Sequence, residues 1–315
     1  MPSLLFIAPP DLGETVLATG ALAAAMESMG APRVTIMCDA AMAGLFTDLP
    51  GLAAVKPWDG ARPFEAWMQL AAGAFGAPFD LVLDLRPSPA SLIVAAKRRI
   101  ARQPPQHSQH LARSFGALAG AADAEPKLWF GQDARARAGA MVPGPAPILA
   151  IAPGGVGEAK RWPAERFAAA ARRLAGGPLS GARILIFAAA ARDRRVTRAI
   201  AQSLDADGVA ARDLGAENDI ALSAALLERA TLCLGNDNAL THIAAAAGAP
   251  TLTLFGPTDE RVRAPLGARA RTLRGMAFEA AASLSAPDAH AAMDALSIDA
   301  VEAAARDVLH AGGLQ

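Results

Sequence analysis

Leu234-Gly235-Asn236-Asp237-Asn238-Ala239-Leu240-Thr241-His242 lies between two short apolar runs, Leu232 to Leu234 at its start and Thr251 to Phe255 after Gly248-Ala249-Pro250. Runs this short, closed by Gly, Asn and Pro, read as buried strands. Asp237 and Asn238 stand where a helix begins, with side-chain oxygens suited to its unpaired N–H groups, and a helix over Leu240 to Ala247 follows. Apolar strands alternating with helices are the pattern of βα units, whose parallel sheets carry helices on both faces. The stretch therefore predicts an α/β fold.

The same alternation extends outward through the second half: strand Ile148 to Ala152, helix Ala164 to Ala175, strand Ile184 to Phe187, then helices Arg195 to Leu204 and Ile220 to Arg229. A closing helix spans Ile298 to Leu309. In the first half, strands are expected at Leu4 to Ala8, Val34 to Cys38, Ala54 to Trp58 and Leu81 to Leu85. Helices are expected near Glu14 to Met29, Phe64 to Ala72 and Ser91 to Lys97, with an edge strand at Arg98 to Arg102. Between Gln103 and Ala146 the pattern breaks and ends in Pro and Gly punctuation, which marks a boundary. Two doubly wound domains, 1–146 and 147–315, are expected to face a cleft, with the closing helix able to pack back on the first. Ligands of such sheets lie beyond the carboxyl ends of the strands.

Composition narrows the functional classes. A chain of 315 residues with 53% hydrophobic and 19% charged residues can bury a core and is not disordered. Lys plus Arg and Asp plus Glu both number 30, with 12 of each sign up to Ala146 and 18 beyond it, so nucleic acid is not the main partner. Cys38 and Cys233 end apolar runs far apart in the chain, which suggests packed thiols in a reducing compartment. The start of the chain lacks a basic segment and meets Pro9, Pro10 and Asp11 early, so it reads as strand and loop rather than signal peptide. Ala239 to Pro257 is interrupted by Thr241, His242, Gly248 and Pro250 and fails as a membrane span. A cytoplasmic protein is expected.

Three segments carry chemistry. Asp11-Leu12-Gly13-Glu14-Thr15 follows the first strand, where an acidic residue either caps the helix or serves as a general base. Pro153-Gly154-Gly155-Val156-Gly157, with Lys160 beyond it, gives a glycine loop whose N–H groups can approach an anion and a lysine to meet a phosphate. A plain turn with a solvated lysine is the simpler alternative. The third segment is the opening stretch, where Asp237 and Asn238 either cap a helix or line a diphosphate site with His242 in its first turn. The spacing of Lys160 does not fit an ATP-hydrolysing P-loop, and no GxGxxG follows the first strand, which disfavours a dinucleotide dehydrogenase. Lys97, Arg98, Arg99 and Arg102 form a basic cluster that suits anionic lipid or acceptor phosphates, or simply a solvated face.

Leu12-Gly13-Glu14, Phe79 to Leu85, Pro153-Gly154 with Lys160-Arg161-Trp162-Pro163, and Asn236-Asp237 with His242 through Phe255-Gly256-Pro257-Thr258 together resemble glycosyltransferase family 9. This family is typified by the ADP-heptose lipopolysaccharide heptosyltransferases of two-domain GT-B architecture. The resemblance implies an inverting transfer, without metal or other cofactor, of a sugar from a nucleotide diphosphate (ADP-heptose favoured) to a lipid-linked saccharide acceptor. It implies contact with the inner membrane face, and Glu14 as general base in the place of an aspartate. It further implies donor contacts from Gly155, Val156, Gly157, Lys160, Asp237, Asn238, Ala239, Leu240 and His242, with Asn218 near the nucleotide base and Asp193 at the ribose. His110 and Arg113 are placed on the acceptor side by position alone. Where relatives commonly have Thr-Gly or Ser-Gly after the motif aspartate, this chain has Asn238-Ala239. A related protein using another nucleotide sugar, an epimerase, and a binding module without turnover remain the alternatives.

Overall fold

The computed structural model describes residues 1–58, 78–86, 92, 94–102, 109–215, 219–285 and 288–311. It divides into two units, Met1–Asp133 and Ala134–Gln315. In the first, strands β1 (Ser3–Ile7), β2 (Arg33–Asp39), β3 (Leu52–Trp58), β4 (Phe79–Asp84) and β5 (Ala96–Ala101) pair in parallel in the order β3-β2-β1-β4-β5. β1 is central, and Leu4 to Ile7 are fully buried on both faces. Chain connectivity reverses between β1 and β4, which makes that edge the place where loops diverge and a ligand can enter.

Helix α1 (Leu12–Ser28) follows β1 and has almost no polar side, because it is built of Ala, Gly, Thr and Leu buried all round. The small residues let neighbours close in: a side chain at Gly20 would lie 2.7 Å from the carbonyls of Ala124 and Glu125. Helix α2 (Leu111–Leu118) buries Leu111, Ala112, Phe115 and Gly116 and packs on α1. It falls inside the stretch expected to be patternless. Ala96 and Lys97, expected at the end of a helix, instead open β5, where Ala96 is in register with Phe79. Backbone groups along β4 need a partner strand, and that demand outweighs local propensity. The expected helix over Phe64 to Ala72 lies outside the described residues.

The second unit carries β6 (Ile148–Ala152), β7 (Arg183–Ile186), β8 (Ala211–Asp213), β9 (Leu232–Asn236), β10 (Thr251–Phe255) and β11 (Ala270–Arg274). These strands pair in parallel in the order β11-β10-β9-β6-β7-β8, with the reversal between β6 and β9. Helices α3 (Gln132–Met141), which straddles the division between the units, α4 (Ala164–Gly176), α5 (Arg194–Ala206), α6 (Ile220–Glu228), α7 (Ala239–Ala246) and α8 (Ile298–Ala311) complete the larger elements. The closing helix α8 puts Val301, Ala305, Val308 and Leu309 into the core of this unit, beside Leu174 and Leu234, and so belongs with the second unit. The division falls at the start of α3, ahead of the Pro/Gly segment ending at Pro147, because α3 packs with the second unit: Arg135 is ion-paired to Glu228 at 2.8 Å and Ala138 is fully buried. Cys38 and Cys233 are buried free thiols, and burial pushes both up to about 12. No helix among the described residues is long and apolar enough to cross a membrane.

Candidate active site

At the reversal in the second unit the chain leaves β6 through Pro153 to Trp162 and leaves β9 straight into α7. The two exits are stitched together by amide side chains. Asn236, fully buried, accepts from the Trp162 N–H at 3.2 Å and donates to the Pro153 carbonyl at 2.7 Å. Asn238 caps α7, accepting from the N–H groups of Leu240 at 2.8 Å and Thr241 at 3.4 Å. Its Nδ2 donates to the carbonyls of Ala152 at 2.8 Å and Gly154 at 3.1 Å. One side chain thus fixes both the helix start and the glycine loop, leaving the Ala239 N–H outside the cap.

The loop itself needs its glycines. A side chain at Gly154 would meet the Asp193 carboxylate at 2.5 Å, and Gly157 has φ +91°, a left-handed conformation that disfavours other residues. Val156 at the tip is 64% exposed, an apolar side chain facing solvent. Arg161 braces the loop from behind: Nε donates to the Gly155 carbonyl at 3.1 Å, Nη1 to Glu158 at 2.7 Å and Nη2 to Asp193 at 3.3 Å. Trp162 then plugs the core, edge-on to Phe167 at 5.0 Å, with its indole N–H on the Leu296 carbonyl at 3.0 Å.

Lys160 emerges from this braced loop and places Nζ 3.1 Å from Asp237 Oδ2. The lysine side chain is 29% exposed and that of Asp237 only 9%. His242 Nε2 lies 3.8 Å from the other oxygen of Asp237, too far for a strong hydrogen bond but near enough to favour its charge. Burial pushes the Asp237 carboxyl up, but His242 and the Lys160 ammonium outweigh it and hold it at about 2. His242 Nδ1 is buried without a hydrogen-bond partner among the described residues. A carboxylate, an ammonium and an uncapped helix N–H at one strand end form a site for a polar, negatively charged ligand.

Asp193, which sequence placed at a ribose, is 1% exposed and turned into the protein, where it accepts from Arg161 and from the Ala190 N–H at 3.2 Å. Asn218 lies outside the described residues.

In the first unit, Asp11 is the cap of α1, accepting from the Glu14 N–H at 3.0 Å. The Glu14 carboxylate is therefore free of that duty, and its Oε2 is 2.8 Å from Arg102 Nη1. The basic cluster is divided by this pair: Arg102 turns inward to Glu14, Lys97 pairs with Asp80 at 2.8 Å, and Arg99 donates to the Val94 carbonyl. His110 caps α2, its Nδ1 accepting from the Ala112 N–H at 3.3 Å, while Arg113 in the same first turn is exposed. Sequence reading did not connect Arg102 with Glu14, which lie 88 residues apart. Arg161 also escaped it as a brace, although its place between Lys160 and Trp162 in the quoted motif was the available signal.

A family model described as glycosyltransferase family 9 (heptosyltransferase) matches residues 77–293, more than half of the chain. The chain belongs to glycosyltransferase family 9. It is 30% identical over 130 residues to lipopolysaccharide heptosyltransferase 2 of Salmonella typhimurium, an alignment covering 41% of this chain and 36% of that protein. Against lipooligosaccharide heptosyltransferase 2 of Haemophilus influenzae it is 32% identical over 133 residues, 42% of this chain and 37% of the relative. The chain thus spans little more than a third of the length of the curated relatives it matches. In fold, this family 9 chain superposes on the E. coli ADP-heptose lipopolysaccharide heptosyltransferase II with a TM-score of 0.80 at 19% identity, over 99% of this chain and 100% of that one. A family 9 glycosyltransferase from Veillonella parvula gives 0.81 at 16% identity, over 98% and 97%. Its two parallel-sheet α/β units are those of the GT-B fold expected from the sequence.

Proposed function

We propose that this chain is an inverting glycosyltransferase that moves a heptose-like sugar from a nucleotide diphosphate, ADP-heptose favoured, to a lipopolysaccharide-core or related surface-glycan acceptor. The observation that carries the reading is the Lys160–Asp237 pair at the mouth of a braced glycine loop, at the sheet reversal of the second unit. The curated relatives are named as lipopolysaccharide and lipooligosaccharide heptosyltransferases, which supports the same substrate class.

In the reaction, an acceptor hydroxyl oxygen attacks the anomeric carbon as the bond from that carbon to the diphosphate oxygen breaks on the opposite face. The hydroxyl proton passes to Glu14, and the new negative charge settles on the departing nucleotide diphosphate. Lys160 exchanges Asp237 for the diphosphate, joined by N–H groups of the Gly155 to Gly157 loop and of Ala239 at the start of α7. Such preorganised donors stabilise developing charge without reorganising at the moment of reaction. Asp237, still neighboured by His242, accepts from donor-sugar hydroxyls, and Asn238 and Leu240 hold the helix start through the cap. Asp193 acts as the rear clasp of the loop through Arg161. His110 and Arg113 lie on the acceptor side, and the protein works in the cytoplasm with peripheral contact at the inner membrane face.

Calorimetry against ADP, UDP, GDP and CDP, with and without magnesium, tests the donor side. Tight, metal-independent binding of ADP that is weakened by Lys160→Ala supports the assignment. Binding of none of the four nucleotides overturns it in favour of a module without turnover.

A further inference from the structure

The proposed base has an unexplained neighbour. Glu14 stands in the first turn of α1, on a side chain with three rotatable bonds, and nothing in the helix itself fixes where its carboxylate points. A base must nevertheless stand within hydrogen-bond reach of the proton it takes, and a misplacement of about 1 Å can cost about 100-fold in rate.

Arg102 supplies the missing constraint. Its backbone N–H donates to the Asp84 carbonyl at 2.7 Å, which fixes the root of the side chain to the end of β4. Its guanidinium carbon lies 5.2 Å from the centre of the Phe115 ring on α2, the helix packed against α1. From that seat Nη1 reaches Glu14 Oε2 at 2.8 Å, with the arginine side chain 14% exposed and the glutamate 9%. The guanidinium is thus held by a strand end, an aromatic face and the carboxylate itself. A planar cation that stacks and donates directionally suits this seat, and a lysine ammonium would lose both features.

Resting on the reading of Glu14 as acceptor-side base, we propose that Arg102 is the positioning residue of that base, seated on Phe115 so that the Glu14 carboxylate keeps one orientation through turnover. The residue touches no substrate and acts through Glu14 alone. Its loss should therefore lower kcat and leave nucleotide binding in the second unit unchanged.

The test uses the full chain and sugar transfer from the nucleotide sugar that the wild type accepts. Arg102→Ala should lower kcat about 100-fold with ADP affinity unchanged, and added guanidinium ion should restore part of the loss. Arg102→Lys, which keeps the charge should the alanine variant fail to fold, should still lose about tenfold in kcat with ADP affinity unchanged. In combination with Glu14→Gln, Arg102→Ala should cost nothing further, since a positioning residue has no effect without the group it positions. Near wild-type kcat in Arg102→Ala, a loss that guanidinium does not relieve, or additive losses in the double variant would each overturn the proposal. Full turnover in Glu14→Gln would instead overturn the base assignment beneath it, so the two failures are distinguishable.

Discussion

Each unit carries a cation and a carboxylate paired at the carboxyl end of its sheet, but the two pairs are built differently. Lys160 is about a third exposed and rises from a loop, and its partner Asp237 has a second neighbour in His242. If a phosphate draws Lys160 away, Asp237 still has the imidazole beside it. Arg102 and Glu14 are more deeply enclosed, and the guanidinium also rests on Phe115. Separating them would leave a buried charge uncompensated, which is costly. The donor-side pair is arranged for exchange with a ligand and the acceptor-side pair for staying together, although both would appear alike in a count of salt bridges.

The comparison can be broken most directly at Glu14. Glu14→Gln should lower kcat by about 100- to 10,000-fold, the usual contribution of a general base, with ADP affinity unchanged by calorimetry. If ADP binding also fell, the first unit would not be confined to acceptor chemistry. Lys160→Ala should act in the opposite sense, weakening ADP binding and lowering kcat/KM about 100-fold in steady-state assays. Gly154→Ala would press a methyl group into the Asp193 carboxylate and displace the loop. It should reduce ADP affinity about tenfold, the loss of one charge-assisted hydrogen bond, with the chain still folded by circular dichroism.

The smallest effect concerns acid stability. Because the Asp237 carboxyl is held at about 2 in the folded protein, its contribution is fully present above the unfolded value near 4 and is lost as pH falls toward 2. Urea unfolding between about pH 4 and pH 2 should show a loss of about 2 kcal/mol that is absent in Asp237→Asn. A wild-type and variant pair falling in parallel over that range would show that Asp237 is not held by Lys160 and His242.

Legibility in the sequence followed burial. Ile148 to Ala152 and Thr251 to Phe255 are buried on both faces, so apolarity alone marks them, and the strands run over those residues. β8 and β11 lie at sheet edges, where Arg212, Arg271 and Arg274 interrupt the apolar signal, and no strand was expected there. α2 was hidden because only four of its residues face inward. The candidate donor site was readable because its parts follow strands directly: Lys160 by its glycine loop, Asp237 by the strand before it. The pairing of Glu14 with Arg102 was not, since it depends on β5 taking the edge beside β4, a long-range choice that no local spacing records. The inward turn of Asp193 was equally hidden, because it arises from a contact with a glycine forty residues earlier, which has no side chain to announce it.

The indole of Trp162 ties the segment after Lys160 to the Leu296 carbonyl, and Arg166 grips the same carbonyl at 2.9 Å. Met293 meanwhile closes against Gly256, in the strand-end loop after β10. The donor loop therefore leans on a stretch of chain that contributes no ligand contact of its own. Damage near the carboxyl terminus, whether by proteolysis, a fused tag or a shortened clone, would present itself at the bench as poor nucleotide affinity with every proposed site residue intact.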